Sequence, residues 1–143
     1  MYTKEKSIDI ISTINGLMHM CHQIATDHGF HEDHKKVREI IEDNARITLH
    51  EKVHLRTWFE ATTEQAEIAR MHSELSEWLE GIRKDPDMLD NHLPHFTAGV
   101  VEAADTIIRI FDTCAKRGYP LAQALLAKME FNNSRPHKHG KNS

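Results

Sequence analysis

Residues 95–117, HFTAGVVEAADTIIRIFDTCAKR, decide the fold of this 143-residue chain. Apolar side chains surround almost the whole of a helix drawn through this stretch, which predicts a helix that is buried on nearly all sides. The polar exceptions share one helix face, because they are spaced three or four residues apart; they are Glu102, Asp105, Arg109 and Asp112. Cations in the last turn, followed by Gly118, indicate where this helix ends.

Helical periodicity extends along most of the chain. Apolar residues recur every three or four positions in four further segments, which are residues 7–27, 33–58, 62–84 and 120–131. Thr62 and Gln65 match a capping box, so we expect a new helix to start there after a break. No strand-like alternation and no internal repeat occur. The sequence therefore predicts an all-α single domain over residues 1–143, with four or five helices and a basic C-terminal arm over residues 132–143.

Composition excludes several classes of protein. The chain has 18 Lys and Arg against 22 Asp and Glu, a net charge of −4, whereas general DNA binding depends on neutralising phosphates. No apolar run is long enough to cross a bilayer, and the N-terminal residues do not match a secretory signal. Cys21 and Cys114 are too few for a disulfide framework and lie among apolar residues. We therefore expect a cytoplasmic protein with no nucleic-acid partner and no membrane partner.

Twelve histidines invite a metal interpretation. Residues 50–54, HEKVH, match the H-E-x-x-H signature, in which two histidines bind zinc and the glutamate acts as a base. In this composition such a match arises by chance about one time in eleven. No further histidine ligand follows at the metzincin spacing, so a zinc peptidase is the minor alternative and a polar surface helix is favoured. His28, His31 and His34 are interpreted as solvated side chains near a helix break.

Pairs of acids three residues apart are common here by chance, so spacing alone selects no site. About three such pairs are expected from 22 acids, and Glu64 and Glu67 are interpreted as part of a solvated helix face. Glu102 and Asp105 differ because they belong to the most apolar helix. Burying two carboxylates is costly unless they are paired or bind a cation.

A second pair of acids, Glu74 and Glu77, lies beside the apolar stripe of the preceding helix. About ten residues connect the two helices, and short connections favour antiparallel neighbours. The two acid pairs can then face each other and form an oxygen-rich site for Mg²⁺ or Mn²⁺. The alternative is two structural salt-bridged pairs, with Arg109 and either Arg70 or Arg83 as the cationic partners.

These residues resemble the E-x-x-E…E-x-x-D signature of the MazG-like all-α nucleoside triphosphate pyrophosphohydrolases. Residues 72–84, HSELSEWLEGIRK, and 102–114, EAADTIIRIFDTC, are similar to the two metal-binding helices of that family. Residues 128–141, KMEFNNSRPHKHGK, resemble its C-terminal segment, and residues 22–30 resemble the end of its first helix. Residues 31–60 depart from the pattern as an extra charged helical segment. The resemblance therefore does not predict the oligomer contacts or the shape of the substrate entrance.

The resemblance implies a MazG fold and a reaction, (d)NTP + water → (d)NMP + pyrophosphate. It implies two or more Mg²⁺ per site, with Mn²⁺ as a substitute, held by Glu74, Glu77, Glu102 and Asp105. Either Glu74 or Glu77 is expected to orient the attacking water. Phage-encoded members of the family are associated with (d)GTP, which makes (d)GTP one expected substrate while the residues leave the base open. A noncatalytic helical interaction module is the alternative.

The resemblance also implies substrate contacts and a partner. The expected phosphate and sugar contacts are Lys128, Asn132, Arg135, Lys138, His139 and Arg109. The expected base pocket consists of Asn15, His22 and Phe30. Members of the family assemble as dimers or tetramers, so we expect a homodimer or homotetramer.

Overall fold

Five helices account for most of residues 3–135, which are the residues that the computed structural model describes. They are α1 (Lys4–Asp27), α2 (Glu32–Asp43), α3 (Leu49–Lys84), α4 (Ala98–Arg117) and α5 (Leu121–Ser134). Within the described residues, the only strand-like pairing is an isolated bridge between Leu89 and Thr97 in the α3–α4 connection. The all-α prediction is confirmed, and the number of helices is at the upper end of the predicted range.

Helix α3 runs through the position where a break was predicted. It begins at a capping box, in which Thr48 accepts a hydrogen bond from the backbone of Glu51 and Glu51 accepts one from the backbone of Thr48. Thr62 lies inside the helix and donates its hydroxyl to the Trp58 carbonyl. The predicted capping box at Thr62 and Gln65 is therefore wrong. No glycine or proline interrupts this stretch, and a threonine that bonds back to the preceding turn fits within a helix.

Helix α4 lies between α1 and α3, which are its main packing partners. Three contacts, taken in order along α3, join Glu67 to Lys116, Glu74 to Arg109 and Trp78 to Gly99. Residues later in α3 contact residues earlier in α4, so the two helices run antiparallel, as their short connection predicts. Helix α2 packs on the first part of α3, and α5 packs mainly on α1.

The prediction that α4 is buried on nearly all sides is wrong for the single chain. Thr106 and Thr113 are the buried residues of α4, whereas Val100, Ile107 and Ile108 are each about half exposed. The cause is the placement of α5, which covers α1 rather than the remaining face of α4. An apolar surface on α4 therefore stays open.

The chain reverses between α1 and α2 at Gly29. The N–H of Gly29 donates to the Thr26 carbonyl, and the N–H of Phe30 donates to the Ala25 carbonyl. This pair of bonds defines a Schellman motif, which needs a left-handed residue after the helix. Gly29 supplies it with a φ of 79°. The turn brings His31, the N-cap residue of α2, back beside α1 and α4.

Candidate metal centre

Three carboxylates from α3 and α4 converge at the interface between these helices. Glu74, Glu102 and Asp105 each offer one oxygen, and the three oxygens lie within 4.8 Å of one another. Glu74 is the most enclosed, with 8% of the residue exposed. A donor set made only of carboxylate oxygens is the kind that Mg²⁺ and Mn²⁺ prefer. The structure thus brings together three of the four acids singled out in the sequence.

The carboxylate cluster carries more negative charge than its neighbours compensate. Burial raises the pKa of Glu102 above its usual value, and the charges of Glu77, Glu74 and Asp105 raise it further. A hydrogen bond with Glu74 acts in the same direction. A group whose charged form is disfavoured in this way is stabilised by a proton or by a nearby cation.

The fourth predicted acid, Glu77, lies at the rim of the cluster. It is exposed and accepts a hydrogen bond from the Ser73 hydroxyl at 3.3 Å. Its charge nevertheless contributes to the raised pKa of Glu102. Glu77 is therefore close enough to act electrostatically on the cluster while remaining open to solvent.

Arg109 partly neutralises the cluster. Its Nε atom donates to Oε1 of Glu74 at 2.6 Å, and its side chain is 45% exposed. The alternative of a structural salt bridge is thus realised for Glu74. Within residues 3–135, no ion pair joins Glu102 or Asp105 to a cationic side chain. One arginine therefore faces a cluster of three acids, and negative charge remains.

A cleft of about 490 Å³ adjoins the cluster, between the α1–α2 turn, α3 and α4. Asp105 and Arg109 line it toward the carboxylate cluster. Phe30, His31 and Asp112 line it further along α4 and at the turn. The cleft therefore connects the candidate metal ligands with a partly aromatic region.

The predicted base-pocket residues are only partly brought together. Phe30 lines the cleft, although the residue is 77% exposed. His22 is not among the residues that line the cleft, and its Nδ1 atom is 2.8 Å from Oδ1 of Asp112. Asn15 is exposed on α1 and is not among the residues that line the cleft. Of the three, Phe30 is the residue that lines the cleft.

The predicted cations of the C-terminal arm are not seen near the cluster. Lys128 and Asn132 lie on α5 and Arg135 caps it, and this helix packs mainly on α1. The charged groups of Lys128 and Arg135 both lie over the Phe131 ring, at 5.0 Å and 5.6 Å from its centroid. The predicted residues Lys138 and His139 fall outside the described residues. Arg109 is the predicted phosphate ligand that contacts the carboxylate cluster.

Sequence reasoning missed an ion-pair network on the same two helices. Glu67 accepts hydrogen bonds from Lys116 at 2.7 Å and from Arg117 at 3.0 Å, and each of these side chains is at most 12% exposed. Burial alone would raise the pKa of Glu67, but Lys116 and Arg117 outweigh it and hold that pKa below its usual value. Glu64 accepts from the Tyr119 hydroxyl at 2.8 Å. The interpretation of Glu64 and Glu67 as a solvated face is wrong, because the antiparallel register places the last-turn cations of α4 opposite them.

The HEKVH segment forms the first turns of α3. Glu51 accepts hydrogen bonds from both the backbone N–H and the hydroxyl of Thr48 at 2.7 Å, so it caps the helix. His50 and His54 are exposed, with ring centroids 5.8 Å apart. In the described part of the chain, neither histidine belongs to a group of three possible metal ligands. A capping role accounts for Glu51 without zinc.

Comparison with protein-family models, curated proteins and solved structures gives no match to this chain. Among the described residues, none of the helices combines the length and apolar character needed to span a membrane.

Proposed function

We propose that this protein is a metal-dependent nucleoside triphosphate pyrophosphohydrolase of the MazG-like type. The observation that carries the proposal is the carboxylate cluster of Glu74, Glu102 and Asp105, whose oxygens lie within 4.8 Å of one another. Its excess negative charge, expressed in the raised pKa of Glu102, supports a cationic ligand. The E-x-x-E…E-x-x-D pattern on these two helices suggests the reaction.

The donor set fits Mg²⁺ or Mn²⁺, because it consists of oxygens from two rigid helices. Glu74, Glu102 and Asp105 would hold the cations, with Glu77 at the rim of the same site. The bound cations would neutralise the polyphosphate and polarise the phosphoryl group under attack. Fixing the substrate between these helices then lowers the entropic part of the barrier.

The proposed reaction transfers the α-phosphoryl group to water. The water oxygen forms a bond to the α-phosphorus while the bond from that phosphorus to the α–β bridging oxygen breaks. Pyrophosphate leaves with the bridging oxygen, and the nucleoside monophosphate remains. We assign the acceptance of the water proton to Glu77, because it is open to solvent and has no cationic partner among the described residues.

Arg109 is proposed to exchange partners when substrate binds. In the structure its guanidinium holds Glu74, and its partial exposure lets it turn into the adjoining cleft. A cation bound to Glu74 would release the guanidinium, which could then donate to a phosphate oxygen. Phe30 at the far wall of the cleft offers an aromatic surface to the base.

A second copy of the chain is the proposed partner. The half-exposed apolar side chains of α4 that lie outside the cleft, including Val100 and Ile107, are the surface that a second copy would cover. Sedimentation should give a mass that is two or four times 16.5 kDa, and a monomer at micromolar concentration would contradict this assembly.

The proposed reaction is tested by the products formed from the four ribonucleoside and four deoxyribonucleoside triphosphates in the presence of Mg²⁺. Pyrophosphate and the monophosphate should appear in equal amounts. Glu102→Gln should abolish the release of pyrophosphate. The control is Glu80→Gln, which should retain it, because Glu80 is an exposed acid of α3 that pairs with Lys84. Release of orthophosphate alone, or full activity in Glu102→Gln, would contradict the proposal.

A noncatalytic helical interaction module is the second candidate. The Arg109–Glu74 ion pair favours it, because this pair already satisfies the most buried acid without a metal. A purely structural cluster has no preference for divalent cations. The melting temperature would then be unaffected by Mg²⁺ or Mn²⁺, and no triphosphate in the panel would be hydrolysed.

A further inference from the structure

Two histidines and one aspartate meet at a point separate from the carboxylate cluster. Nδ1 of His22 is 2.8 Å from Oδ1 of Asp112, and Nε2 of His31 is 2.9 Å from the same oxygen. The three possible ligand atoms lie within 4.8 Å of one another. We refer to His22, His31 and Asp112 as the His–His–Asp cluster.

Three elements of the fold position this cluster. His22 lies on α1, Asp112 lies on α4, and His31 is the N-cap of α2. The side chain of His31 makes no capping hydrogen bond to its own helix, so it is available to reach across to α4. The Schellman turn at Gly29 holds His31 beside His22, with the ring centroids 5.0 Å apart.

The cluster is only partly enclosed. The exposed fractions of the side chains are 31% for His22 and 19% for both His31 and Asp112. His31 and Asp112 also line the cleft of about 490 Å³. A small ion can therefore reach the cluster, and water can complete its coordination.

We propose that the His–His–Asp cluster is a second cation site, selective for Zn²⁺ or a similar late transition-metal ion. Imidazole nitrogens favour such ions, whereas Mg²⁺ favours oxygen ligands. A tetrahedral ion about 2.0 Å from each ligand separates neighbouring ligand atoms by about 3.3 Å. The present separations of 2.8 and 2.9 Å would need to widen by about half an ångström to admit it. Two nitrogens and one oxygen then leave one position for water or a substrate atom.

This site is distinct from the carboxylate cluster. Asp112 lies seven residues beyond Asp105 on α4, which corresponds to about 10 Å along the helix axis. The two clusters also differ in ligand type, since one offers only oxygen and the other offers mainly nitrogen. One ion cannot serve both, and the proposal does not depend on the pyrophosphohydrolase activity.

The test is a Co²⁺ titration of the 143-residue chain in an excess of Mg²⁺, which occupies oxygen-only sites. Co²⁺ stands in for Zn²⁺ and gives a visible absorption band in nitrogen-containing sites of low coordination number. The chain should bind one equivalent of Co²⁺ with such a band, and added Zn²⁺ should displace it. No band, or a band that Zn²⁺ does not displace, would overturn the proposal.

Two substitutions assign the band to the cluster. His31→Gln keeps a side-chain N–H that can bond Asp112 but removes the imidazole, and Asp112→Asn removes the negative charge at nearly constant shape. Both should lose the band while the circular dichroism spectrum stays helical. The matched control is His34→Gln. His34 lies in the first turn of α2, close to His31 in the sequence, but its Nε2 atom pairs with one carboxylate, that of Glu60, at 3.1 Å. Loss of the band in His34→Gln, or its retention in His31→Gln and Asp112→Asn, would overturn the assignment.

Discussion

Helices α3 and α4 hold acids in two contrasting environments. At Glu67, two cations from the last turn of α4 surround the carboxylate and lower its pKa. Two turns further along α3, Glu74 has one cationic partner, and the neighbouring acids raise the pKa of Glu102. Both regions lie on the same helix pair and have the same acid spacing. Opposing charge across the interface, rather than spacing along one helix, therefore decides which acids can bind a cation.

The contrast separates stability from binding. The Glu67 network already contains its counter-ions, so it ties α3 to α4 without any ligand. The carboxylate cluster lacks enough counter-charge, so it stores unfavourable electrostatic energy that a bound cation relieves. Substitutions in the first region should thus affect folding, and substitutions in the second should affect cation binding and catalysis.

The largest expected effect is on the hydrolysis that we propose for the carboxylate cluster. Asp105→Asn should lower kcat/KM for pyrophosphate release by about 100-fold or more, because it removes a metal ligand. The melting temperature should not fall, since the substitution relieves repulsion with Glu102. Glu67→Gln, assayed at a temperature where it is folded, should keep activity within a few-fold of the wild type. Equal losses of activity in the two variants would remove the distinction between the regions.

The next largest effect is on stability. Here the substitution at Glu67 should be more harmful than a substitution in the carboxylate cluster. Glu67→Gln leaves Lys116 and Arg117 without their common partner, which should reduce the free energy of unfolding by about 2 kcal/mol. This is less than for a fully buried pair, because Arg117 also lies near Glu60 and Glu64. Glu102→Gln should leave the free energy of unfolding unchanged or raise it. Urea unfolding measures both, and a greater loss in Glu102→Gln would contradict this account.

A smaller effect concerns pH. Because folding lowers the pKa of Glu67, this acid stabilises the fold above its usual value of 4.5, and the contribution is lost as the pH falls. Because folding raises the pKa of Glu102, its contribution is complete below 4.5 and is lost as the pH rises through the folded-state pKa. Urea unfolding between about pH 2 and 8 should show two differences from the wild type: Glu67→Gln should lose less stability below pH 4.5, and Glu102→Gln should lose less stability as the pH rises above 4.5. Wild-type pH profiles in both variants would contradict these signs.

Much of this arrangement could be predicted from the sequence. The polar stripe of α4 and the short connection to α3 predict both the antiparallel pair and the approach of Glu74 to Glu102 and Asp105. Period and polarity predict these features because they depend on helix geometry and on the cost of burying charge.

Other features depend on contacts that period and polarity do not encode. Helix α3 continues through Thr62, whose hydroxyl donates to the carbonyl of the preceding turn. In the sequence alone, a threonine in this role cannot be told from one that caps a new helix. The network around Glu67 requires the register of α3 against α4, since its cations come from about 50 residues further along the chain. His31 meets His22 and Asp112 only because of the turn at Gly29. The placement of α5 on α1 likewise could not be read from its own composition.

We propose that the carboxylate cluster binds a divalent cation, and thermal unfolding during a Mg²⁺ titration detects such binding without any assumption about the reaction. A ligand that binds only the folded state must raise the melting temperature as its concentration increases. We expect such a rise in the wild type and in Glu67→Gln, which starts from a lower melting temperature, and no rise in Glu102→Gln. A melting temperature that is independent of Mg²⁺ in the wild type, or that rises equally in Glu102→Gln, would contradict it.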